Sequence, residues 1–182
     1  AKYHDARPGP LAILEPASAY PLISVQAVVV YLDTNMLPKT WRIITAKRSD
    51  KVAVKPGYFQ FKPAGGFEVY GKESDDEDYL VKQGFSIPTA LFREYAEELF
   101  DATHLAANEG EGDPNSAVRA EPSVDRLINL IKSGKASIDF LGVVVDLTIL
   151  RHELSFLIVI EDEDFSKNRL EGSWEGRVNA VP

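Results

Sequence analysis

The residues best placed to do chemistry lie in Ser86–Asp101, which reads SIPTALFREYAEELFD. On a helix advancing about 100° per residue, Phe92, Tyr95, Ala96, Leu99 and Phe100 share one broad face. Glu94, Glu97, Glu98 and Asp101 fall on the opposite side, within about one third of the circumference, and Ala90 lies near them. Like charges three and four residues apart repel and weaken a helix. Something positive should relieve them. Arg93 can pair with one carboxylate, and a hard divalent cation such as Mg²⁺ can relieve the others while keeping waters and phosphate oxygens as further ligands. Such an ion neutralises charge on a phosphate and activates a water for attack. A solvated acidic face is as common a reading of this run by itself. Pro63-Ala64-Gly65-Gly66, alone, is more often a turn. Together they point to a ligand site, because a double glycine lets backbone approach a ligand closely just before a carboxylate helix.

Those residues need a scaffold. Ser24–Leu32 (SVQAVVVYL) is β-branched and almost continuously apolar, as a strand buried on both faces should be. A turn at Asp33–Lys39 leads to a second strand, Trp41–Lys47. A Pro-Gly turn then leads to a third, Tyr58–Lys62, which runs into the double glycine. Lys72–Phe85, with four acids at Asp75–Asp78, reads as an inserted surface loop. Ser86 as N-cap and Pro88 in the first turn start the helix, which runs to about Asp101. Asn108–Ser116 reads as a loop, and Ser123–Ser133 as an amphipathic helix capped by its Ser and closed by Gly134. Ile138–Leu147 and Glu153–Ile160 are two further strands. Ser166–Pro182 shows no clear element, and residues 1–21, with four prolines, read as a loop-like entry with one short strand at Leu11–Leu14. The pattern predicts a mixed α/β fold with helices on both faces of a mixed sheet.

The 182 residues, 45% hydrophobic and 26% charged, suit one ordinary globular domain. A net charge of −8 argues against direct nucleic-acid binding, which needs a basic face. A small phosphate compound is still compatible if a metal ion supplies positive charge. The lack of cysteine excludes disulfides and thiolate metal sites and fits a reducing, cytoplasmic setting. Ala1–Pro10 lacks the apolar core of a signal peptide. The longest apolar runs, Ala27–Leu32 and Leu154–Ile160, are too short to span a membrane. A chain that starts with Ala1 and stops at Pro182 is expected to be a piece of a longer protein.

The double glycine, the acidic loop and Arg93-Glu94-Tyr95-Ala96-Glu97-Glu98 together resemble the box of the Nudix hydrolases, G-x5-E-x7-R-E-U-x-E-E-x-G-U, where U is aliphatic. Gly66 matches the first glycine. The order of elements over residues 24–160 is compatible with that family's α/β/α sandwich. The resemblance implies one Nudix-like domain over 1–182, with 1–21 as an N-terminal extension and 72–85 inserted within the box. It implies Glu94 and Glu98 as metal ligands and Glu97 as a further ligand or the group that orients metal-bound water. Arg93 becomes structural, and the carbonyl near Gly65 or Gly66 completes the shell around Mg²⁺ or Mn²⁺. It implies water attack on the pyrophosphate of a nucleoside diphosphate linked to another group. A later carboxylate serves as base, with Glu171 ranked ahead of Glu161 and Glu163. The chain departs from the motif in several places. The interval from Gly66 to Arg93 is much longer. Glu73 falls one position late for the first glutamate, and Phe85 holds that place when counted back from Arg93. Tyr95 stands at the aliphatic position and Phe100 at the late glycine.

Other residues carry less. His4, His104 and His152 have no ligand spacing and suit surface or turn positions. Trp41 and Trp174 suit packing, with Trp174 a candidate for a pocket rim. Lys47-Arg48 could reach a phosphate but suit a solvated strand end better. The rival reading is a domain of a larger regulator that senses a nucleotide or binds a protein without turnover. The sequence leaves homodimerisation open. Glu98→Gln is expected to abolish metal-dependent turnover while leaving the fold intact.

Overall fold

The computed structural model describes residues 23–35, 37–51, 56–67, 78, 84–105, 114–146, 151–167 and 176–181. The extension 1–21, nearly all of 72–85, Trp174 and Glu171 lie outside them. Among the described residues seven strands form one sheet: β1 Ile23–Asp33, β2 Thr40–Arg48, β3 Phe59–Phe61, β4 Ala64–Gly66, β5 Ala136–Asp146, β6 Arg151–Ile160 and β7 Gly176–Val181. The helices are α1 Ile87–Phe100, α2 Pro114–Ala120 and α3 Pro122–Lys132. The main strand order is β3-β2-β1-β6-β5, with β4 also on β1 and β7 also on β2. β1 and β6 run parallel and the other pairs antiparallel, so the sheet is mixed as the sequence predicts.

β1 is the organising strand. One of its edges pairs with β6 from Ile23 to Tyr31. The other edge is divided: Ser24–Gln26 faces β4, and Val30–Asp33 faces β2. Two flanking hydrogen bonds, Ala27 N–H to Pro63 O at 2.8 Å and Phe67 N–H to Ile23 O at 2.8 Å, extend the β4 ladder. The double glycine is therefore held as a short strand at the centre of the sheet, where the sequence suggests a turn. A turn motif alone could not reveal the β1 edge left open for it.

The apolar run of β1 is buried on one face more than the other. Val25, Ala27, Val29 and Tyr31 are buried, while Gln26, Val28, Val30 and Leu32 are half-buried. Ala27, Val29 and Tyr31 cluster with Leu91, Tyr95, Ala96 and Leu99 of α1, Val124 and Leu127 of α3, and Ile158 and Ile160 of β6, while Val25 joins Phe67 and Ala90. Removing side chains such as Leu99 and Ile158 from water contributes roughly 1.5–3 kcal/mol each. This shared core fixes α1 across the sheet.

Several boundaries differ from the sequence reading. α2 begins inside the stretch expected to be a loop, and its Asn115 side chain accepts from the Thr89 hydroxyl at the start of α1. α3 starts at Pro122, with Glu121 in the cap position and no side-chain cap bond, so Ser123 lies inside the first turn and is not the cap. β7 arises from a segment in which no element was expected, because its strand character comes from pairing with β2. No helix among the described residues is long and apolar enough to cross a membrane.

Candidate active site

α1 begins as the sequence predicts. Ser86 sits at φ −126°, and its Oγ accepts from Thr89 N–H at 3.3 Å. The helix ends where Asp101 turns into the left-handed region at φ 55° and its N–H bonds to Ala96 O. Between these caps the acidic side of the helix is partly covered, with Glu97 half-buried and Asp101, at the C-cap, exposed. Arg93, Glu94 and Glu98 are buried, at 5%, 7% and 4% exposure, because β4 and the residues before it cover that side. α1 is thus enclosed twice, by the apolar sheet face on one side and by Lys62–Gly66 on the other.

Each carboxylate there has an identified neighbour. Glu98 Oε1 takes the Lys62 ammonium in a buried ion pair, and its Oε2 accepts from Ala64 N–H at 2.5 Å. Glu94 Oε1 accepts from Arg93 NH2 at 2.8 Å. The same NH2 lies 3.4 Å from Gly66 O, and Arg93 NH1 lies 3.8 Å from Glu97 Oε1. The Glu94 carboxyl rests directly on Gly65: a Cβ built there would come within 2.0 Å of it. Gly66 is different, since among the described residues a Cβ there would meet nothing within 4 Å. Neither glycine has a positive φ. Glycine at 65 makes room for a carboxylate, and glycine at 66 leaves space that a ligand can enter.

Arg93 thus touches Glu94, Glu97 and the Gly66 carbonyl, and Glu98 is held from Lys62 and Ala64. Lys62, which is 1% exposed, is the residue that sequence reasoning missed. Its one available signal was a cation two residues before Ala64, at the end of the strand that delivers the glycines. Its reach to Glu98 depends on how β4 crosses α1.

Of the later acids, Glu161 and Glu163 do not join them. β1 pairs with Gly65 at Val25 and with Ile160 at Tyr31, so Glu161 and Glu163 start from the far end of the strand. Six residues of strand amount to about 20 Å. Both are exposed, and Glu163 pairs with Lys39 at 2.5 Å. The acid between them, Asp162, is buried and ties Arg126 at 2.9 Å to Lys135 at 3.5 Å, a structural role. Glu171 lies outside the described residues. His152 lies in β6 and not in a turn, with its backbone paired to Ile23. Trp41 is 44% exposed on β2, so it packs less than expected. Arg48 is held by Gln60 at 2.5 Å.

The donor chemistry suits a hard cation, since all the side-chain candidates are carboxylates. The arrangement is less open than the sequence suggests. Among the described residues no group of three or more histidine or acidic side chains converges to hold an ion. Lys62 and Arg93 already supply positive charge to the carboxylates, and a metal reaching Glu98 would have to displace Lys62.

No family model matches the chain, and no curated protein matches it. Solved structures do match in chain path. A NUDIX hydrolase from Alicyclobacillus acidocaldarius is 16% identical with a TM-score of 0.46, covering 89% of this chain and 79% of its own. The NUDIX domain of Shewanella oneidensis NrtR, solved with ADP ribose, is 13% identical with a TM-score of 0.46, covering 100% and 81%. A bifunctional NMN adenylyltransferase/ADP ribose pyrophosphatase from Francisella tularensis, solved with AMP and a Mn ion, is 13% identical with a TM-score of 0.43, covering 99% of this chain and 37% of its own. Likeness at this level concerns the path of the chain and says nothing of activity. What the chain's own sheet and helices show is a mixed α/β fold.

Proposed function

We propose that this domain hydrolyses the pyrophosphate of a nucleoside diphosphate linked to another group, with Mg²⁺ or Mn²⁺ as cofactor. The observation that carries the reading is the docking of the carboxylate turn of α1 onto Ala64–Gly66, with open space over Gly66. Glu94 and Glu98 would hold the ion, Glu97 would be a further ligand or orient metal-bound water, and the carbonyl near Gly65 or Gly66 would complete the shell. When bound, the ion would neutralise phosphate charge and acidify a water. The chain's own contribution is orientation. Ala64 N–H fixes one oxygen of Glu98, Arg93 fixes Glu94, and Gly66 leaves the approach to the carboxylates clear. A site whose side chains are locked by such secondary contacts is ordered before its ligand arrives. A single domain without membrane contact or direct nucleic-acid contact, placed in the cytoplasm, belongs to the same proposal.

Glu97 is the residue to test, because Glu94 and Glu98 are buried in ion pairs and Glu97 is less enclosed. Phosphate release from a panel of nucleoside diphosphate sugars and dinucleotides, with Mg²⁺ or Mn²⁺, should show turnover by the wild type. Glu97→Gln should lower it at least about 10- to 100-fold with little change in melting temperature. Absence of turnover across the panel would refute the hydrolase. The second reading, a nucleotide-sensing or protein-binding domain without turnover, is favoured by one observation: both oxygens of Glu98 are already engaged by the protein.

A further inference from the structure

The described helices serve one side of the sheet. α1 and α3 pack on the face of β1 that carries Ala27, Val29 and Tyr31, and Val118 of α2 joins the same core. Side chains alternate along a strand, so Gln26 and Val28 belong to the opposite face. Ile44 of β2 is part of the helix-side core, which assigns Trp41 and Lys47 to the opposite face as well. The register of β3 on β2, Phe59 with Lys47 and Phe61 with Thr45, sets both phenylalanines beside them. Phe59 is 68% exposed, and Phe61, Trp41, Leu141 and Val144 are exposed too. Exposed apolar side chains gathered on one face mark an interaction surface.

That face is uneven in a self-complementary way. On one side of β1, Phe59 and Trp41 stand out from β3 and β2. On the other side lies a cavity of about 300 Å³, lined by Gln26, Val28 and Ser155, by Leu141–Val144 of β5 and by Phe61. Gln26 Nε2 donates to Ser155 Oγ at 2.9 Å, so the polar groups of the lining bond each other and the rest is apolar.

We propose that a second copy of this chain covers the face, about a two-fold axis running along β1. This goes beyond the hydrolase reading and does not depend on it. The axis carries β3 of each copy over β5 and β6 of the other, so each Phe59 enters the other copy's cavity. Lys47, in register with Phe59, is carried toward the row of Glu153, which pairs across β6 with Ser24 and is held by Arg151 at 2.9 Å. The one cation beside Phe59 in that register thus meets an acid and not a like charge. The main path of the sheet has five strands. At a spacing of about 4.8 Å, and over about six residues each, they give a footprint of roughly 500 Å² per copy. Two copies together bury roughly 1,000 Å², the size at which an interface becomes specific. The same patch serves both copies, so the assembly closes at two.

Sedimentation velocity on the wild type should give the mass of two chains. Phe59→Glu puts a charge into the cavity and should raise the dissociation constant at least about 30-fold, the scale for losing an interface anchor. Leu37→Glu adds the same charge to an exposed residue between β1 and β2, away from the face, and should leave the dimer intact. The chain has no cysteine, so its contacts can be trapped selectively. Phe59→Cys and Val144→Cys proteins, mixed under oxidised glutathione, should form a disulfide between unlike chains. A monomeric wild type overturns the inference and leaves the face to a different occupant. Equal association of wild type and Phe59→Glu overturns it too, as do assemblies that grow beyond two. A dimer that gives no mixed disulfide overturns the two-fold axis and the inference with it.

Discussion

Glu98→Gln is the most informative perturbation of stability. The sequence suggests a silent change in fold, since glutamine keeps the shape of glutamate. The structure reverses that expectation. Two donors, Lys62 Nζ and Ala64 N–H, point at the two oxygens of Glu98. Glutamine offers one acceptor and replaces the other with an NH₂ that must face a donor. If the amide oxygen stays on Ala64 N–H, the ammonium of Lys62 loses its Glu98 oxygen and meets a donor in its place. Breaking a buried pair by removing one partner costs about 3–5 kcal/mol. A domain's whole stability is on the order of 5–15 kcal/mol, so the loss should be obvious in urea melts. Lys62→Met combined with Glu98→Gln removes the charge that has lost Glu98 and leaves Ala64 N–H its acceptor. The double variant should therefore recover part of the loss, with a coupling of about 1–3 kcal/mol in the cycle. A Glu98→Gln protein within about 0.5 kcal/mol of wild type, the range of an ordinary surface substitution, would refute the buried pair and everything derived from it.

Two further substitutions probe the same region and the core beneath it. Gly65→Ala must push the Glu94 carboxyl off β4 and away from Arg93, so it should cost up to about 3–5 kcal/mol, whereas Gly66→Ala should change stability by no more than about 1 kcal/mol; equal urea midpoints for the two would contradict the packing of Glu94 on Gly65. Burial raises the Tyr95 phenol above its ordinary value of 10.0. The unfolded chain then loses this proton first as pH rises above 10, so stability is present below that pH and falls above it. At about 1.4 kcal/mol per pH unit, wild type should lose about 1.4 kcal/mol more than Tyr95→Phe between about pH 8 and pH 11. Parallel pH profiles of the two proteins would show that Tyr95 is not shielded as described.

Local signals explain why so much of the scaffold is legible from the sequence. The β-branched run of β1 and the cap and proline that start α1 act over a few neighbouring residues, so β1, β2, β6 and α1 appear within one or two residues of their expected places. The grouping of Glu94, Glu97 and Glu98 with Arg93 follows from helical spacing alone. β7 and β4 were not legible in the same way. Gly176–Val181 becomes a strand through the edge of β2, and Ala64–Gly66 through the edge of β1 that β2 leaves open. Those edges exist only once the sheet is assembled.

Helical periodicity also predicts that acids will share a face but not what covers that face. The sequence by itself determined a carboxylate helix following a double glycine within a mixed α/β fold. The tertiary structure decided that β4 lies over the acids, that Gly65 is the gap filled by Glu94, and that Lys62 answers Glu98 from 36 residues away. The physical reason is that a buried charge is paired by whatever the fold brings within reach, and reach across the sheet is not a property of any local stretch of sequence.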